Sequence, residues 1–297
     1  MQRSANNKKV VQNYILINEK KTLFICITII IFSSTQRSSK FISPRIVGGA
    51  DAPEGYARYM VALIYGQFLK SLVCGASIIT SRHVLSAAHC IEPFVYWGVL
   101  SRTLMNFLSH RDLQGVIGSN YWNSSNVIQF TGYVNHPDWS WDNLKNDIGV
   151  LITKQPMDFQ KYGVVPIALN CDWIEGRVNA AVAGWGRTGV SVPYRLQRLD
   201  VTILTPRECI RGIELAVGDT GPAPPFDPAL EICTIHSFQH GMCFGDSGSP
   251  LVQQIDGTAQ MAGIVSWGFP CAQGHPDVFV RVSAFKDFLN SVIGYTP

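Results

Sequence analysis

The chain contains a succession of short apolar runs rich in Val, Ile and Tyr, separated by Gly, Pro, Asn and Asp. Runs of this length, broken by turn-forming residues, are typical of β-strands. One stretch differs, since in residues 282–293 the side chains of Phe285, Phe288, Leu289 and Val292 recur on one helical face. The sequence therefore predicts an all-β fold with a single helix near the C-terminus. The predicted strands cover residues 60–65, 77–80, 127–134, 148–153, 180–184, 199–204 and 262–267.

Ser247 lies in the run Gly-Asp-Ser-Gly, between Gly245 and Gly248. Glycine adopts positive φ readily and lets a substrate approach the main chain closely. The N–H groups of Gly245 and Ser247 could then point to one spot beside the hydroxyl, which is the geometry of an oxyanion hole next to a nucleophile. Such a serine requires a base.

A histidine and an aspartate that could activate Ser247 lie upstream. His89 falls in Ser-Ala-Ala-His-Cys at residues 86–90, and Asp147 falls in Asn-Asp-Ile-Gly-Val-Leu at residues 146–151. Neither segment is specific alone, because many such histidines and strand aspartates are structural, whereas Gly-Asp-Ser-Gly is a strong signal. In the order His, Asp, Ser, the three together predict nucleophilic catalysis.

In these residues the chain resembles the chymotrypsin (trypsin-like) family of serine endopeptidases, over roughly residues 45–294. This family is the type example of the Ser-His-Asp triad. The resemblance implies that Ser247 attacks the scissile carbonyl, that His89 takes and returns the proton, and that Asp147 orients the imidazole. An alternative is a non-catalytic protease homologue that acts as a binding or regulatory protein.

The resemblance also implies an architecture: two six-stranded antiparallel β-barrels packed together, with a C-terminal α-helix. The first barrel is expected at about residues 46–165, the second at about 166–282 and the helix at about 283–294. His89 and Asp147 would come from the first barrel and Ser247 from the second. Catalysis would then take place in the cleft between the barrels.

The sequence Arg45-Ile46-Val-Gly-Gly resembles the family's zymogen cleavage site. The resemblance implies that cleavage after Arg45 frees the α-amine of Ile46, which then pairs with Asp246. A buried carboxylate without a partner is strongly destabilising, so the site would remain incomplete until cleavage. Residues 36–45 are predicted to be the activation propeptide, and residues 46–297 the peptidase domain.

Residues 1–35 are predicted to be a secretory signal peptide. The apolar stretch 22–32 follows Lys20 and Lys21 and precedes small polar residues, which is the usual order in a signal. The stretch is shorter than the roughly 20 residues that span a bilayer. The protein is therefore expected to be secreted and extracellular, without membrane attachment after cleavage. Because the segment before the apolar stretch is long, an uncleaved anchor is the alternative.

The chain has eight cysteines, and the disulfides that the family resemblance implies among six of them would indicate an oxidising compartment. Cys26 lies in the predicted signal. Cys171 is left over, and we expect a buried or half-buried thiol there, or a bridge to a second chain. The family resemblance implies three disulfides: Cys74–Cys90, Cys209–Cys233 and Cys243–Cys271.

The charge distribution gives no sign of nucleic-acid binding. Residues 1–45 hold eight Lys and Arg and one Glu, which leaves 16 Lys and Arg against 20 Asp and Glu, about −4, beyond Arg45. The histidines lack metal-ligand spacing, and residues 119–130 contain no carboxylate for calcium, so no metal or cofactor is expected. The expected partners are protein or peptide substrates, an activating protease that cuts after Arg, and serine protease inhibitors. The protein is expected to be a monomer.

Three positions are expected to shape the primary specificity pocket by analogy with the family. Gly241 lies at the base, where trypsin-type enzymes carry Asp, and Gly268 leaves the mouth open. Asp277 falls at the third position, and this combination resembles the broad-specificity serine collagenases. Ser266 and Trp267 belong to the strand expected to pair with the substrate backbone, and Ser266 would donate a hydrogen bond to Asp147.

A roomy pocket with one carboxylate on its wall predicts cleavage after Phe, Tyr, Leu and Met, with secondary cleavage after Arg and Lys. The alternative is that Asp277 points into solvent or is neutralised by a neighbour such as His275. The pocket would then be plainly chymotrypsin-like.

Ser249 stands where the family usually has Gly, two residues after the nucleophile, and this departure bears on full activity. Two loops, at residues 91–112 and 211–230, look enlarged. Each could extend substrate binding or be a tolerated surface insertion.

Overall fold

The computed structural model describes residues 48–66, 70–92, 113–188, 191–269 and 271–294. The predicted signal peptide, the propeptide, Arg45 and Ile46 lie outside the described residues, as do residues 93–112 of the first enlarged loop.

The described part of the chain is built mostly from β-strands. In chain order these are β1 (Ala50–Asp51), β2 (Met60–Tyr65), β3 (Ser71–Ile78), β4 (His83–Ser86), β5 (Leu113–Ile117), β6 (Val127–Asn135), β7 (Gly149–Thr153), β8 (Ala168–Leu169), β9 (Val178–Gly184), β10 (Gln197–Ile203), β11 (Glu231–Ile235), β12 (Pro250–Ile255), β13 (Thr258–Gly268) and β14 (Asp277–Arg281). The α-helices are α1 (Ala88–Ile91), α2 (Phe159–Tyr162), α3 (Pro206–Thr220) and α4 (Lys286–Ile293), and a 3₁₀ helix over Val282–Phe285 precedes α4.

The strands form two closed antiparallel barrels of six strands each. The first has the order β2, β3, β4, β7, β6, β5, and it closes because β5 pairs with β2. The second has the order β10, β11, β14, β13, β12, β9, and it closes through the pairing of β9 with β10. Strand β1 adds to β10, and β8 adds to β13. The predicted all-β class with two six-stranded barrels is confirmed.

Side-chain alternation explains why these segments form barrel strands. In β10 every second residue is buried, namely Gln197, Leu199, Val201 and Ile203. A period of two places one face of a strand in the core. The main hydrophobic cluster includes residues of both barrels, so the two halves share packed apolar surface.

The C-terminal helix is present, as predicted. The 3₁₀ turn leads into α4, which ends at Gly294 in the left-handed conformation, a common helix stop. Phe285 and Leu289 are buried, and Phe288 and Val292 pack against the main cluster. The apolar face read from the sequence is thus the face that meets the core.

Helix α3 was not expected: its residues 211–220 fall in the segment interpreted as an enlarged loop, and no helix was predicted over residues 206–210. The side chain of Thr205 accepts from the N–H of Glu208, and the Glu208 carboxylate accepts from the N–H of Thr205. This reciprocal capping box, with Pro206 at the first helical position, starts a helix firmly. The expectation of a single helix is therefore wrong.

The structure contains the three disulfides that the resemblance implies, Cys74–Cys90, Cys209–Cys233 and Cys243–Cys271. Cys171 is a free cysteine, and it is exposed to solvent. The expectation of a buried or half-buried thiol is therefore wrong. Of the helices in the described residues, none combines the length and apolar character needed to cross a membrane.

Candidate active site

Strand pairing in the first barrel brings His89 and Asp147 together. Ser86 at the end of β4 lies opposite Gly149 at the start of β7, so the segments beyond these ends are neighbours. The Nδ1–H of His89 donates to Oδ2 of Asp147 at 2.7 Å, and the backbone N–H of His89 donates to Oδ1 at 2.9 Å. Both carboxylate oxygens therefore hold one histidine.

Asp147 is fully buried, and it also accepts from Oγ of Ser266 at 2.6 Å. Burial alone would raise the pKa of Asp147, but the charge of His89 and hydrogen bonds from His89 and Ser266 hold it below its ordinary value. Burial alone would lower the pKa of His89. The negative charge of Asp147 and its hydrogen bond to the ring outweigh burial and raise the pKa of His89 above its ordinary value. This is the electrostatic arrangement that stabilises an imidazolium.

The Ser247 loop is fixed against the same part of the first barrel. The N–H of Gly75 in β3 donates to the carbonyl of Ser247 at 2.8 Å. Gly248 has φ of +78°, and a Cβ there would lie 2.2 Å from Oγ of Ser86. Only glycine permits this approach, which places Ser247 beside the segment leading to His89. Among the described residues, no hydrogen bond joins the Ser247 hydroxyl to His89; such bonds often tighten only when substrate binds.

Gly245 has φ of +97°, and a Cβ there would lie 3.2 Å from Cα of Gly186. The preceding carbonyl, of Phe244, accepts from the N–H of Arg187 at 2.7 Å. This bond fixes the plane of the Phe244–Gly245 peptide, whose N–H is one of the two predicted oxyanion donors. The Phe244 side chain is 74% exposed, so a large apolar surface stands at the edge of the site.

Ser249, the departure from the family pattern, fits because two facing residues are glycines. A Cβ on Gly75 would lie 2.0 Å from Oγ of Ser249, and one on Gly184 would lie 3.2 Å away. The N–H of Ser249 donates to the carbonyl of Asp246, and the carbonyl of Ser249 accepts from the N–H of Val265. Oγ is buried and, within the described residues, has no hydrogen-bond partner. Such a group costs about 1–3 kcal/mol of stability.

The predicted pocket residues are in contact. A Cβ on Gly241 would lie 3.1 Å from Oδ2 of Asp277, and one on Gly268 would lie 3.2 Å from Oδ1. Oδ2 also accepts from the N–H of Met242 at 3.0 Å, and Asp277 is 9% exposed. The carboxylate therefore lies between the two glycines rather than in solvent.

His275 does not neutralise Asp277. Its Nε2 atom lies 3.9 Å from Oδ2 of Asp219. Among the described residues no cationic side chain forms an ion pair with Asp277. Burial raises the pKa of Asp277 to about 7, opposed by the Met242 hydrogen bond and helped by the charge of Asp246.

Asp246 is a second buried carboxyl group without a cation in the described part of the chain. Its oxygens accept from the N–H groups of Gly186 at 2.8 Å and Cys243 at 3.1 Å. Burial raises its pKa to about 7 in spite of both hydrogen bonds. The predicted partner, the amine of Ile46, lies outside the described residues.

Two tryptophans beside His89 were not singled out from the sequence. The Nε1–H groups of Trp139 and Trp141 both donate to Oε2 of Glu92, at 2.8 and 2.5 Å. The Trp141 ring lies 6.2 Å from the His89 ring in an edge-on arrangement. The run Trp-Ser-Trp shortly before Asp147 was the available signal, because two large aromatics in a polar loop suggest a binding surface.

Cys74, His89 and Cys90 form the one cluster of three potential metal ligands among the described residues. Both sulfurs belong to a disulfide and offer no thiolate, which is the form that binds a metal. The cluster is therefore a disulfide next to a histidine, and its two sulfurs are not metal ligands.

The chain matches the Trypsin family model over residues 46–289. It is 32% identical over 252 residues to Trypsin-1 of Astacus astacus, covering 83% of this chain and 99% of that protein. It is 31% identical over 255 residues to Trypsin II-P29 of Gallus gallus, covering 84% and 89%. It is also 32% identical over 254 residues to Protein masquerade of Drosophila melanogaster, covering 84% of this chain.

The chain spans 23% of the length of Protein masquerade, but nearly the whole of Trypsin-1 and most of Trypsin II-P29. The match to Protein masquerade therefore concerns only a part of that protein. By its matched family model and by its identity to the two trypsins, the chain belongs to the trypsin family of serine endopeptidases.

Proposed function

We propose that the protein is an active, secreted endopeptidase made as a zymogen, in which His89, Asp147 and Ser247 form the catalytic triad. The observation that carries this proposal is the bonding of His89 to Asp147 through both carboxylate oxygens, with Ser266 on the same carboxylate. A histidine oriented in this way can act as a general base for a neighbouring hydroxyl.

In the proposed reaction, Ser247 Oγ attacks the peptide carbonyl and His89 accepts its proton. The acyl-enzyme forms when the C–N bond breaks and His89 protonates the leaving amine. Water then hydrolyses the ester by the same steps. The N–H groups of Gly245 and Ser247 are proposed to bind the oxyanion, and the positive φ of Gly245 supports their orientation.

The proposed primary specificity is for large apolar residues, with secondary cleavage after Arg and Lys. The absence of side chains at Gly241 and Gly268 makes space for the Asp277 carboxyl, which lies between them. Room for a large apolar side chain is proposed from the family resemblance of these two glycine positions. Among the described residues, the N–H of Met242 and no cation holds this carboxyl, which supports the proposal that its charge is available to a basic substrate side chain. Ser266, Trp267 and Gly268 would pair with the substrate backbone.

Activation is proposed to follow cleavage after Arg45 by a protease with Arg specificity. The new ammonium group of Ile46 would reach Asp246, whose burial without a described cation supports the need for such a partner. The predicted signal peptide is the basis for secretion. Serine protease inhibitors are the proposed regulatory partners.

The test is a peptide-library profile of the zymogen after trypsin cleavage at Arg45 and removal of the trypsin. Ser247→Ala, processed identically, serves as the blank. Cleavage after Phe, Tyr or Leu, together with weaker cleavage after Arg or Lys, is the expected result. If correctly processed and folded protein cleaves nothing above the blank, the binding or regulatory homologue is the better description.

A further inference from the structure

A buried ion pair joins the two barrels next to Asp147. The Nζ atom of Lys145 donates to both carboxylate oxygens of Glu231, at 2.8 and 2.9 Å. Lys145 precedes β7 of the first barrel, whereas Glu231 begins β11 of the second. Their relative exposures are 9% and 3%, so the pair is shielded from water.

Lys145 is the middle residue of a strained turn that leads into Asp147. Its two neighbours, Leu144 and Asn146, have φ of 52° and 57°. This region is rare for a leucine, and such residues persist only where the surroundings fix them. The Lys145 side chain is anchored at its tip by Glu231, and Asn146 donates to the carbonyl of Asp138. The ion pair therefore helps to hold the backbone that carries Asp147.

On the other side, Glu231 holds the strand expected to pair with substrate. Its Oε1 atom accepts from Nε1–H of Trp267 at 2.8 Å, and its Oε2 atom accepts from the N–H of Asp227 at 2.8 Å. The Lys145 ammonium lies 5.7 Å from the centre of the Trp267 ring. The adjacent residue, Ser266, is the one that donates to Asp147. Two neighbouring cross-links thus join the same turn to the same strand.

Stability alone does not account for this pair. Burying two charges has a desolvation cost that their attraction only about offsets, and well-packed apolar replacements are often as stable. A buried pair can instead select one arrangement of the elements it joins. Here those elements supply the triad carboxylate and the substrate-pairing strand.

We infer that Lys145 and Glu231 are positioning residues for peptide hydrolysis: they set the Asp147 turn against the Trp267 strand across the junction of the barrels. The inference rests on the proposed peptidase activity. It assigns neither residue a contact with substrate.

The experiment compares Lys145→Met, Glu231→Gln, the double variant and Lys145→Arg, each made as the full chain and processed after Arg45. A Phe-containing peptide amide is the substrate, and kcat is expressed per active site titrated by an acyl-enzyme burst. Each single variant is expected to lose about 10- to 100-fold in kcat, while KM changes by less than about threefold. The reason is that a displacement of a reacting group by about 1 Å can lower the rate by about 100-fold. Arg keeps the charge and can contact both oxygens, so Lys145→Arg is expected to retain most of kcat.

The double variant separates positioning from stability. Removing both charges is expected to return the melting temperature close to that of the wild type, since no charge remains unpaired, while kcat stays low. Arg198→Met, which breaks the exposed Arg198–Asp200 pair of the second barrel, is the matched control and should leave kcat unchanged. Recovery of kcat together with stability in the double variant would overturn the inference, as would single variants with wild-type kcat. A processed wild type without activity would refute both this inference and the proposed function.

Discussion

In the proposed specificity pocket, the ionisation of the Asp277 carboxyl group is the property that bears most on substrate choice. It lies between Gly241 and Gly268 and is bonded only to the N–H of Met242 among the described polar contacts. Its burial raises the pKa to about 7. The pocket would therefore change charge within the physiological range, which an exposed aspartate with a pKa near 4 does not do.

This residue predicts a pH-dependent preference. Between pH 6 and 8 the ionised fraction of Asp277 rises from about 10% to about 90%, given a pKa near 7. We expect the ratio of kcat/KM for an Arg substrate to that for a Phe substrate to rise severalfold over this interval. The ratio is the measured quantity, because the ionisation of His89 affects both substrates equally.

The matched control is Asp277→Asn, which keeps the shape and the Met242 contact but cannot ionise. It should give a flat ratio and at least tenfold weaker cleavage after Arg. A wild-type ratio that is equally flat would remove Asp277 from the specificity determinants.

Among the elements, helix α3 is the one whose start is most clearly set by local chemistry. Thr205 and Glu208 cap each other, and the backbone and side chain of Thr205, followed by Arg177, lower the pKa of Glu208 to about 2. The helix also carries Cys209, which is bridged to Cys233 in β11. Its first turn is thereby tied to the strand that begins with Glu231.

The capping box predicts a measurable loss on truncation. Thr205→Ala should destabilise the protein by about 1 kcal/mol, because an N-cap hydroxyl contributes that much. For a domain of this size the melting temperature should fall by about 2–4 °C. Thr220→Ala is the control, since Thr220 Oγ1 donates to the carbonyl of Ala216 at the far end and caps nothing. Equal effects of the two variants would argue against the cap.

A comparison of α4 with α3 shows where apolar sequence patterns predict a helix and where they do not. The C-terminal helix was predictable because its apolar residues recur on the face that meets the core. In α3 the large apolar residues Ile210, Leu215 and Val217 are exposed, so the apolar pattern did not indicate a helix. The sequence Thr-Pro-Arg-Glu at residues 205–208 was the signal that could have located its start.

At the scale of the whole molecule, the features that could not be predicted from the sequence are contacts between residues far apart in the chain. Motifs predicted the triad positions, because each lies within a short recognisable run, and the family resemblance predicted the pocket positions. The Lys145–Glu231 pair has no such run, and only the packing of the two barrels brings these residues together. The fit of Ser249 likewise depends on Gly75 and Gly184, which come from other strands.

Under the proposed activation by cleavage after Arg45, the buried carboxyl of Asp246 would link the stability of the folded protein to processing. Its pKa is raised from 3.8 to about 7, so in the folded precursor it holds a proton at pH values where the unfolded chain has lost one. Stability then falls as pH rises from about 4 to about 7, because the folded state binds more protons. At about 1.4 kcal/mol per pK unit, the loss is on the order of a few kcal/mol.

Cleavage after Arg45 should reverse this dependence. An ammonium partner favours the carboxylate, so Asp246 in the processed protein should titrate below its ordinary pKa and stabilise the fold at neutral pH. The melting temperature of the processed form should therefore exceed that of the precursor by an amount that grows from pH 5 to pH 7.5. The buried Asp277 is present in both forms, and burial rather than the charge of Asp246 is the main cause of its raised pKa, so its own titration contributes less to this difference.

The measurement uses Ser247→Ala, which prevents self-digestion, before and after cleavage by trypsin. In the Asp246→Asn version of the same protein no carboxyl titrates at this position, so the difference between the two forms should no longer vary with pH. A difference that grows with pH in both backgrounds would mean that another group carries the effect. A difference independent of pH in the Asp246 protein would mean that the new amine does not pair with this carboxylate.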